Sequence, residues 1–311
     1  MSDLAAMLAK ALGADAILNL ARLSGGASRE TWAFDATYAD GRVERLILRR
    51  DHDGAAPISD GALGRETERL VIEAVGPPAP PVRAAVANGF VMTQLEGETN
   101  PRPILRDAAF LPARAAFAGD AARALAAIHR TPLRKLPPLP VLEAGAQIAL
   151  YRASLDRVGE RRPALEYGLR WLERRLPPPV EPVLVHGDFR MGNLLIGHRG
   201  LVAALDWELA HLGDPMEDLG WLAVRSWRFG GRHPVGGVAT REALLDAYAA
   251  TGLAVDAERA CFWETFGTVK WGVICLTQAF KHLSGRESSV ELAAIGRRTS
   301  EAEYDLLELI A

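Results

Sequence analysis

Three polar side chains near the middle of the chain could together bind a metal ion and activate a hydroxyl group. Asp188 and Asn193 lie in the segment HGDFRMGN (186–193), directly after a short apolar run, and Asp206 ends a second apolar run. Carboxylate and amide oxygens are ligands that suit Mg²⁺. One acid, Asp188, then remains to orient or deprotonate an attacking hydroxyl. The alternative for each residue taken alone is that it caps a local turn.

The first hundred residues have the pattern of a small α+β unit. β-Forming residues recur in short runs, and Asp40-Gly41 between two of them is a strong hairpin signal. A helical stretch over 64–75 ends at Gly76-Pro77-Pro78, because proline prevents its continuation. The predicted order is β-β-β-α-β-β, with strands at 20–23, 31–38, 43–50, 82–86 and 90–94.

The rest of the chain has mainly helical patterns. Two short apolar runs, 183–185 and 201–205, interrupt the helices, and each ends in the polar residues described above. We expect the boundary between a small strand-rich lobe and a larger helical lobe within 94–98. The predicted helices cover 113–128, 142–176, 216–227, 241–251, 256–283 and 289–310.

Three segments of this chain resemble the catalytic and metal-binding segments of the aminoglycoside phosphotransferase and choline kinase-like families, which are relatives of protein kinases. They are HGDFRMGN at 186–193, Leu205-Asp206-Trp207-Glu208, and Gly213-Asp214-Pro215 with Asp218-Leu219. The resemblance covers almost the whole chain. It implies an α+β, bilobal protein-kinase-like fold. Residues 1–95 would form a small antiparallel-sheet N-lobe that binds the nucleotide, and residues 96–311 a larger, mainly helical C-lobe for catalysis and substrate binding.

The resemblance also implies roles for the residues of the catalytic loop. Asp188 would be the catalytic base, with Asn193 and Asp206 as the ligands of Mg²⁺. His186, also counted among the catalytic residues, would hold the loop in place, with direct proton transfer as the alternative. Asp218 would brace the loop through backbone hydrogen bonds. The phosphoryl donor would be ATP, or alternatively GTP. Phosphoryl transfer depends on alignment and charge neutralisation, and an ordinary carboxylate suffices as base because the proton leaves late.

The N-lobe is nearly devoid of lysine, so the cation that contacts the phosphates is predicted to be an arginine. Only four of the 36 basic residues are lysines, and none lies between residues 11 and 134. Arg49 is the predicted cation, because strand alternation places it on the same face as Ile47, which would contact adenine. The alternative is that Arg49 and Arg50 are exposed edge-strand residues.

Further nucleotide contacts are expected from the resemblance. The turn at 24–28 would let the backbone approach the phosphates, although a Gly-Gly turn alone is usually an ordinary hairpin. The helix after the third strand would supply a glutamate, chosen as Glu66, with Glu68 and Glu73 as competitors. The stretch 91–97 resembles the hinge, with Met92 lining the adenine pocket unless it is plain core. The predicted nucleotide contacts are Gly25, Gly26, Ser28, Arg49, Glu66, Met92, Gln94 and Leu95.

A group of basic and aromatic residues follows the metal-binding segment and bears on the phosphoryl acceptor. With Arg190, which is counted among the catalytic residues, they favour an anionic acceptor such as a hydroxy acid or its acyl thioester over a polycation. Surface ion pairs with nearby acids are the alternative. Only 11 residues separate Asp206 from Asp218, which is too few for the activation loop of a protein kinase. The predicted acceptor residues are Arg225, Trp227, Arg228 and Arg232.

The composition excludes several other classes. With 36 basic and 39 acidic residues the net charge is -3, which gives no electrostatic case for nucleic-acid binding. The longest apolar runs fall short of a membrane span, and the N-terminus has the pattern of an amphipathic helix. Cys261 and Cys275 lie in one predicted helix, too far apart to bridge. We therefore expect a cytoplasmic monomer or homodimer acting on a small hydroxylated molecule. An aminoglycoside or amino-alcohol kinase, and a catalytically silent nucleotide-binding scaffold, remain alternatives.

Overall fold

The computed structural model describes residues 2–23, 29–51 and 62–311. The predicted phosphate-covering residues Gly25, Gly26 and Ser28 lie outside the described residues. Among the described helices, none combines the length and hydropathy that a membrane span requires.

In the residues that the structure describes, the N-terminal lobe is a five-stranded antiparallel sheet with two helices. Its strands lie in the order β1-β2-β3-β5-β4, so the third strand is central and hydrogen-bonds to two neighbours. The hairpin between the second and third strands contains Gly41 at φ 80°, the left-handed conformation that its turn signal predicts. The elements are α1 (Ser2–Leu12), β1 (Ala16–Leu23), β2 (Arg29–Thr37), β3 (Val43–Asp51), α2 (Arg65–Val75), β4 (Val82–Val86) and β5 (Gly89–Thr93).

The two faces of β3 pack against different parts of the molecule. Leu46 and Leu48 are buried in a small core that also contains Leu8 of α1. Ile47 packs against the large core of the molecule, and its register partner on β5 is Met92. The alternation expected from the sequence is confirmed, because successive side chains of a strand point to opposite faces.

The C-terminal lobe is mainly helical, with two small two-stranded sheets. Where one helix was predicted over 142–176, the structure has two, because Gly159 ends the first in a left-handed conformation and Pro163 begins the second. The segment 289–310 is likewise divided. The elements are α3 (Pro101–Arg106), α4 (Leu111–His129), α5 (Ala144–Val158), α6 (Pro163–Glu173), β6 (Val183–Val185), β7 (Leu194–Gly197), β8 (Gly200–Ala204), β9 (His211–Gly213), α7 (Met216–Ala223), α8 (Arg241–Ala249), α9 (Ala257–Leu283), α10 (Val290–Gly296) and α11 (Thr299–Ile310).

Helix α9 runs through the centre of the C-lobe and packs closely against α7. A Cβ atom on Gly220 of α7 would lie 2.6 Å from the backbone of Trp263 and Glu264. A Cβ atom on Gly267 of α9 would lie 2.9 Å from the ring of Trp221. The two helices therefore meet backbone to backbone, and this contact fixes where the side chains of α7 point.

The segment after β5 connects the two lobes. The Gln94 N–H donates to the Arg45 carbonyl at 2.9 Å, so it still belongs to the N-lobe sheet. Four residues later, Glu98 forms two backbone hydrogen bonds with Ile196 of β7, both 2.9 Å long. We propose that the lobes divide between residues 95 and 96, in the stretch between these two attachments.

Candidate active site

The catalytic loop connects β6 to β7 and depends on a glycine at its second position. Gly187 has φ +79°, and a Cβ atom there would lie 2.4 Å from the carbonyl oxygen of Leu209. Any side chain would be strained in this backbone conformation and would collide with neighbouring backbone. The close approach of the loop to residue 209 sets the direction in which Asp188 leaves the strand.

Three side chains donate hydrogen bonds to the carboxylate of Asp188. Trp221 Nε1 donates to Oδ1 at 2.8 Å, and Asn193 Nδ2 donates to Oδ2 at 2.5 Å. Arg190 Nε lies 3.0 Å from Oδ1 and 3.2 Å from Oδ2. Donors on both oxygens hold the carboxylate in one orientation. Asp188 is thus fixed in place beside Arg190 and Asn193.

Asp218 braces the loop from beneath. Its two oxygens accept hydrogen bonds from the backbone N–H groups of His186 at 2.8 Å and Gly187 at 3.0 Å. His129 Nε2 lies 3.2 Å from Asp218, and His129 Nδ1 lies 2.6 Å from the hydroxyl of Tyr248. Burial raises the pKa of Asp218, but the hydrogen bonds outweigh it and place the pKa below its usual value. The predicted bracing role of Asp218 is confirmed.

His129 and Tyr248 were not predicted from the sequence. They extend the brace to α4 and α8, so helices far apart in the chain are tied to the loop. A histidine at the end of a helix and a buried tyrosine carry no local signal for such a role. Only their contact with Asp218 in three dimensions identifies them.

His186 uses both ring nitrogens inside the protein. Its Nε2 lies 3.1 Å from the carbonyl of Leu205, and its Nδ1 accepts the N–H of Asp188 at 3.2 Å. Complete burial lowers the pKa of His186 despite the nearby carboxylates, so the ring is neutral with its proton on Nε2. With neither nitrogen left for a reactant, this geometry supports a role in holding the loop.

Asn193 and Asp206 are brought together by a backbone hydrogen bond. The Leu205 N–H donates to the Asn193 carbonyl at 2.8 Å, which places the end of β8 beside the end of the loop. Asp206 has φ +66°, an uncommon conformation for a residue other than glycine. Because the amide nitrogen of Asn193 donates to Asp188, its amide oxygen points away from that carboxylate.

The donor set of Asn193 and Asp206 fits Mg²⁺, because amide and carboxylate oxygens are hard ligands and this ion keeps several water or phosphate ligands. In the described part of the chain, no group of three or more His, Cys, Asp or Glu side chains is arranged to hold a metal ion.

Arg49 links the two lobes through two carboxylates. Its Nη2 lies 2.7 Å from Asp206 Oδ1, and its Nη1 lies 3.4 Å from Glu68 Oε1. Burial would lower the pKa of Arg49, but Glu68 and Asp206 outweigh it and raise the pKa above the ordinary arginine value. Arg49 thus lies between the N-lobe helix and the predicted metal-binding segment.

The choice of Glu66 as the partner of Arg49 was wrong, and Glu68 occupies that position. Glu66 is 70% exposed and pairs with Arg69 on the surface, whereas Glu68 is fully buried. Residues two apart in a helix point in nearly opposite directions, so only one of the two glutamates can face the sheet. The sequence contained a signal that favours Glu68. Val71, three positions after Glu68, belongs to the buried face of α2, so Glu68 lies on the same face.

The hinge region is only partly as predicted. Met92 is buried beside Ile47, on the face of the sheet that contacts the large core. The N–H groups of Thr93 and Gln94 donate to the carbonyls of Pro81 and Arg45, both at 2.9 Å, so neither can donate to a base. Of the backbone groups of residues 93–95 that were expected to contact the base, these two N–H groups are used within the sheet, and the contact of Gln94 through its other groups stays a prediction. The backbone of Leu95 remains the candidate for contact with the base.

Trp227 lies next to the catalytic loop, in a cluster of aromatic rings. The guanidinium of Arg190 lies over its ring, 4.7 Å from the centroid. Ring centroids of Trp221, Trp271 and Phe229 lie 5.0, 4.7 and 6.4 Å from that of Trp227. The cation–π contact holds Arg190 between this cluster and Asp188. Trp227 therefore lies beside the loop, and its contact with an acceptor stays a prediction.

The three arginines predicted to bind the acceptor are placed differently from one another. Arg225 is exposed and pairs with Asp305 of α11 at 3.3 Å. Arg228 is half-buried and lies 3.8 Å from Glu264 of α9. Arg232 is exposed. Arg225 and Arg228 thus form ion pairs, as the alternative expected, but with acids on α11 and α9 that are distant in sequence and not with Glu217.

Comparison with known proteins places this arrangement in a family. A spectinomycin phosphotransferase solved with ADP and spectinomycin has a TM-score of 0.61 and 14% identity, with 99% of this chain and 93% of that chain covered. A choline/ethanolamine kinase family protein from Mesorhizobium loti has a TM-score of 0.64 and 18% identity, with 92% of this chain and 87% of that chain covered. These likenesses establish the protein-kinase-like fold.

Sequence comparisons extend the assignment from fold to family. The mouse acyl-CoA dehydrogenase family member 10 is 44% identical over 61 residues, which are 19% of this chain and 6% of that protein. The match therefore spans only a small part of this chain and of that relative. The profile of the phosphotransferase enzyme family matches residues 19–262, which span both lobes, the catalytic loop and Asp206. The chain belongs to the phosphotransferase enzyme family.

Proposed function

We propose that the protein transfers the terminal phosphoryl group of a nucleoside triphosphate to a hydroxyl group of a small molecule. The observation that carries this proposal is the convergence of Asp188, Asn193 and Asp206 at the ends of short strands, with Asp188 held by three hydrogen-bond donors. The same geometry argues against a catalytically silent scaffold, because each residue that the chemistry needs is present and ordered against its neighbours.

In the proposed reaction, Asp188 receives the acceptor hydroxyl and aligns its oxygen with the terminal phosphorus atom. The new P–O bond forms as the bond to the leaving nucleoside diphosphate breaks, and the hydroxyl proton passes to Asp188. Asn193 and Asp206 would hold Mg²⁺, which neutralises phosphate charge when bound. Fixing Asp188 in advance avoids an ordering cost during the reaction, which is how such sites lower the barrier.

The nucleotide would bind between the lobes. Arg49 is the proposed phosphate-contacting cation, and Glu68 orients it. Ile47 and Met92 present an apolar surface beside the Leu95 backbone, which suits a purine base. We favour ATP as the donor, with GTP as the alternative. Structures of the same fold were solved with ADP, in a spectinomycin phosphotransferase, and with GDP, in an aminoglycoside 2'-phosphotransferase, which supports a purine nucleotide.

We propose that the acceptor is anionic, such as a hydroxy acid or its acyl derivative. Arg190 donates to Asp188 only through Nε, and its two terminal nitrogens make no hydrogen bond with the described part of the chain. A guanidinium held on an aromatic ring with free donors suits a carboxylate or phosphate. The partial sequence match between this chain and a protein named for acyl-CoA dehydrogenases is consistent with an acceptor that carries an acyl group. An aminoglycoside or amino alcohol would instead need acidic partners here.

We further infer that the enzyme is cytoplasmic and acts as a monomer or homodimer, without a nucleic-acid or membrane partner. The balanced charge of 36 basic and 39 acidic residues supports the absence of a polyanionic partner.

The test is phosphate transfer from ATP or GTP, with Mg²⁺, across hydroxy acids, hydroxyacyl thioesters, amino alcohols and aminoglycosides. We expect turnover with an anionic acceptor and a loss of at least about a hundredfold in kcat for Asp188→Asn, since proton transfer is removed. Full activity of this variant would refute the mechanism. Efficient turnover of a cationic acceptor that Arg190→Met leaves unchanged would refute the acceptor class.

A further inference from the structure

A lysine is buried beneath the catalytic loop. Lys270 of α9 is 5% exposed, and its Nζ donates to the carbonyl oxygen of Gly187 at 3.2 Å. In the described part of the chain, no carboxylate lies within ion-pair distance of this ammonium group. A buried ammonium group needs neighbours that compensate for the loss of water, so the groups around Lys270 show what holds it in place.

The second contact of Lys270 is with Trp221. Its Nζ lies over the indole, 4.6 Å from the ring centroid. On its edge, the same indole donates its N–H to Asp188 Oδ1 at 2.8 Å. The indole therefore lies between the ammonium group and the proposed catalytic base. A cation over the face of an aromatic ring is attracted by its electron density and draws that density away from the N–H, which makes the N–H a stronger donor.

Close packing holds the indole in this place. A Cβ atom on Gly267 would lie 2.9 Å from the Trp221 ring, and a Cβ atom on Gly220 would lie 2.6 Å from the α9 backbone. Trp221 is 4% exposed, so it has little room to change its orientation. The contact between α7 and α9 thus sets the direction of the N–H that reaches Asp188.

The charge of Lys270 is maintained by groups on several elements. Burial lowers its pKa, but Tyr151 of α5, Glu217 and Asp218 of α7, and Asp188 outweigh it and raise the pKa above the ordinary value. His211 of β9 also faces it. Lys270 is therefore an ammonium group at neutral pH.

We propose that Lys270 and Trp221 are positioning residues for the phosphoryl transfer. Lys270 holds the Gly187 carbonyl and the Trp221 ring, and the indole N–H holds Oδ1 of Asp188, which fixes the orientation in which the carboxylate meets the acceptor hydroxyl. This inference rests on the proposed function. It adds two residues, from α7 and α9, that contact the loop without contacting the reactants.

The kinetic test compares Trp221→Phe, Lys270→Met and Lys270→Arg with the control Trp263→Phe. Trp263 is also buried, and its indole nitrogen has no partner in the described part of the chain, so phenylalanine removes the same volume without a hydrogen bond. Because a hydrogen bond to a charged group is lost, we expect Trp221→Phe to lower kcat by about tenfold to a hundredfold, with the KM for ATP within about twofold.

Lys270→Met removes the charge but keeps the length of the side chain, so the fold should persist. We expect about a tenfold loss of kcat, partial recovery in Lys270→Arg, and near wild-type kcat in Trp263→Phe. The double variant with Trp221→Phe should lose less than the product of the two single losses, because both act on one contact. If the kcat losses of the two single variants multiply in the double variant, or if the single variants raise only KM, the proposal is overturned.

A measurement that does not depend on activity separates this inference from the proposed function. The protein has seven tryptophans, and the indole ¹⁵N–H signal absent in Trp221→Phe identifies that of Trp221. This signal should move in Lys270→Met and in Asp188→Ala, and exchange faster with solvent in both. An unmoved signal in Lys270→Met would refute the coupling. If no acceptor is phosphorylated by the wild type while the signal moves as expected, the proposed function fails and the contact stands.

Discussion

Replacing Arg49 should impair nucleotide use more than stability. Arg49 contacts both the buried Glu68 and Asp206. In Arg49→Met, Glu68 keeps its ion pair with Arg65, so no buried carboxylate is left without a partner. Loss of a hydrogen bond between charged groups corresponds to about 1.5–3 kcal/mol. We therefore expect the KM for ATP to rise, or kcat/KM to fall, by about tenfold to a hundredfold.

Arg50 provides a matched control for this change. It follows Arg49 on β3 but points to the opposite face, where it pairs with Glu30 at 2.6 Å. Arg50→Met should leave the KM for ATP within about twofold, because its ion pair lies on the other side of the sheet. Steady-state kinetics with varied ATP, and calorimetric titration with a non-hydrolysable ATP analogue, measure both variants.

A pair of glutamate variants tests the helix rotation that the structure shows. Glu68→Gln removes the charge that faces Arg49, whereas Glu66→Gln changes only a surface pair with Arg69. We expect the first to weaken ATP use by about tenfold and the second to have no measurable effect. Unchanged kinetics in Arg49→Met, or equal effects of the two glutamate variants, would refute the assignment of the cation and its partner.

Three further predictions concern the loop and its surroundings. Gly187→Ala should abolish measurable turnover and lower Tm in a thermal melt, because its Cβ would meet the Leu209 carbonyl at 2.4 Å. Asp218→Asn should cost about 3 kcal/mol of unfolding free energy at pH 7 by urea titration. Since the native pKa of Asp218 is lowered, that difference should be present above about pH 4 and shrink as the pH falls through the native pKa. Glu217 raises the pKa of His211 despite burial. His211→Gln should therefore lower the free energy of unfolding most below about pH 6.5, and less as the pH rises through the raised pKa. A larger loss of unfolding free energy in His211→Gln at pH 9 than at pH 6 would contradict the raised pKa of His211.

Local patterns in the sequence predicted the features of the site that depend on neighbouring residues. Strand alternation placed Ile47 and Arg49 on one face of β3, because the period of two is a property of the extended backbone. The bracing contacts of Asp218 follow from the spacing of segments that resemble a known family. In the first case the local residue pattern is sufficient for the prediction, and in the second the resemblance of short segments to a known family is sufficient.

Other features could be known only from the tertiary structure. The rotation of α2, which selects Glu68, depends on how the helix packs against the sheet. The availability of the Gln94 N–H depends on where the sheet ends. Trp221 and Lys270 reach the loop from helices distant in sequence.

The sequence by itself therefore predicted the kind of chemistry, since residue types, spacing and the family resemblance propose a base, two oxygen ligands and an arginine. Tertiary structure decided which side chains hold these groups in place, and with which partners the remaining charges pair. The physical reason is that hydrogen bonds and ion pairs form between groups that packing brings within about 3 Å, whatever their separation along the chain.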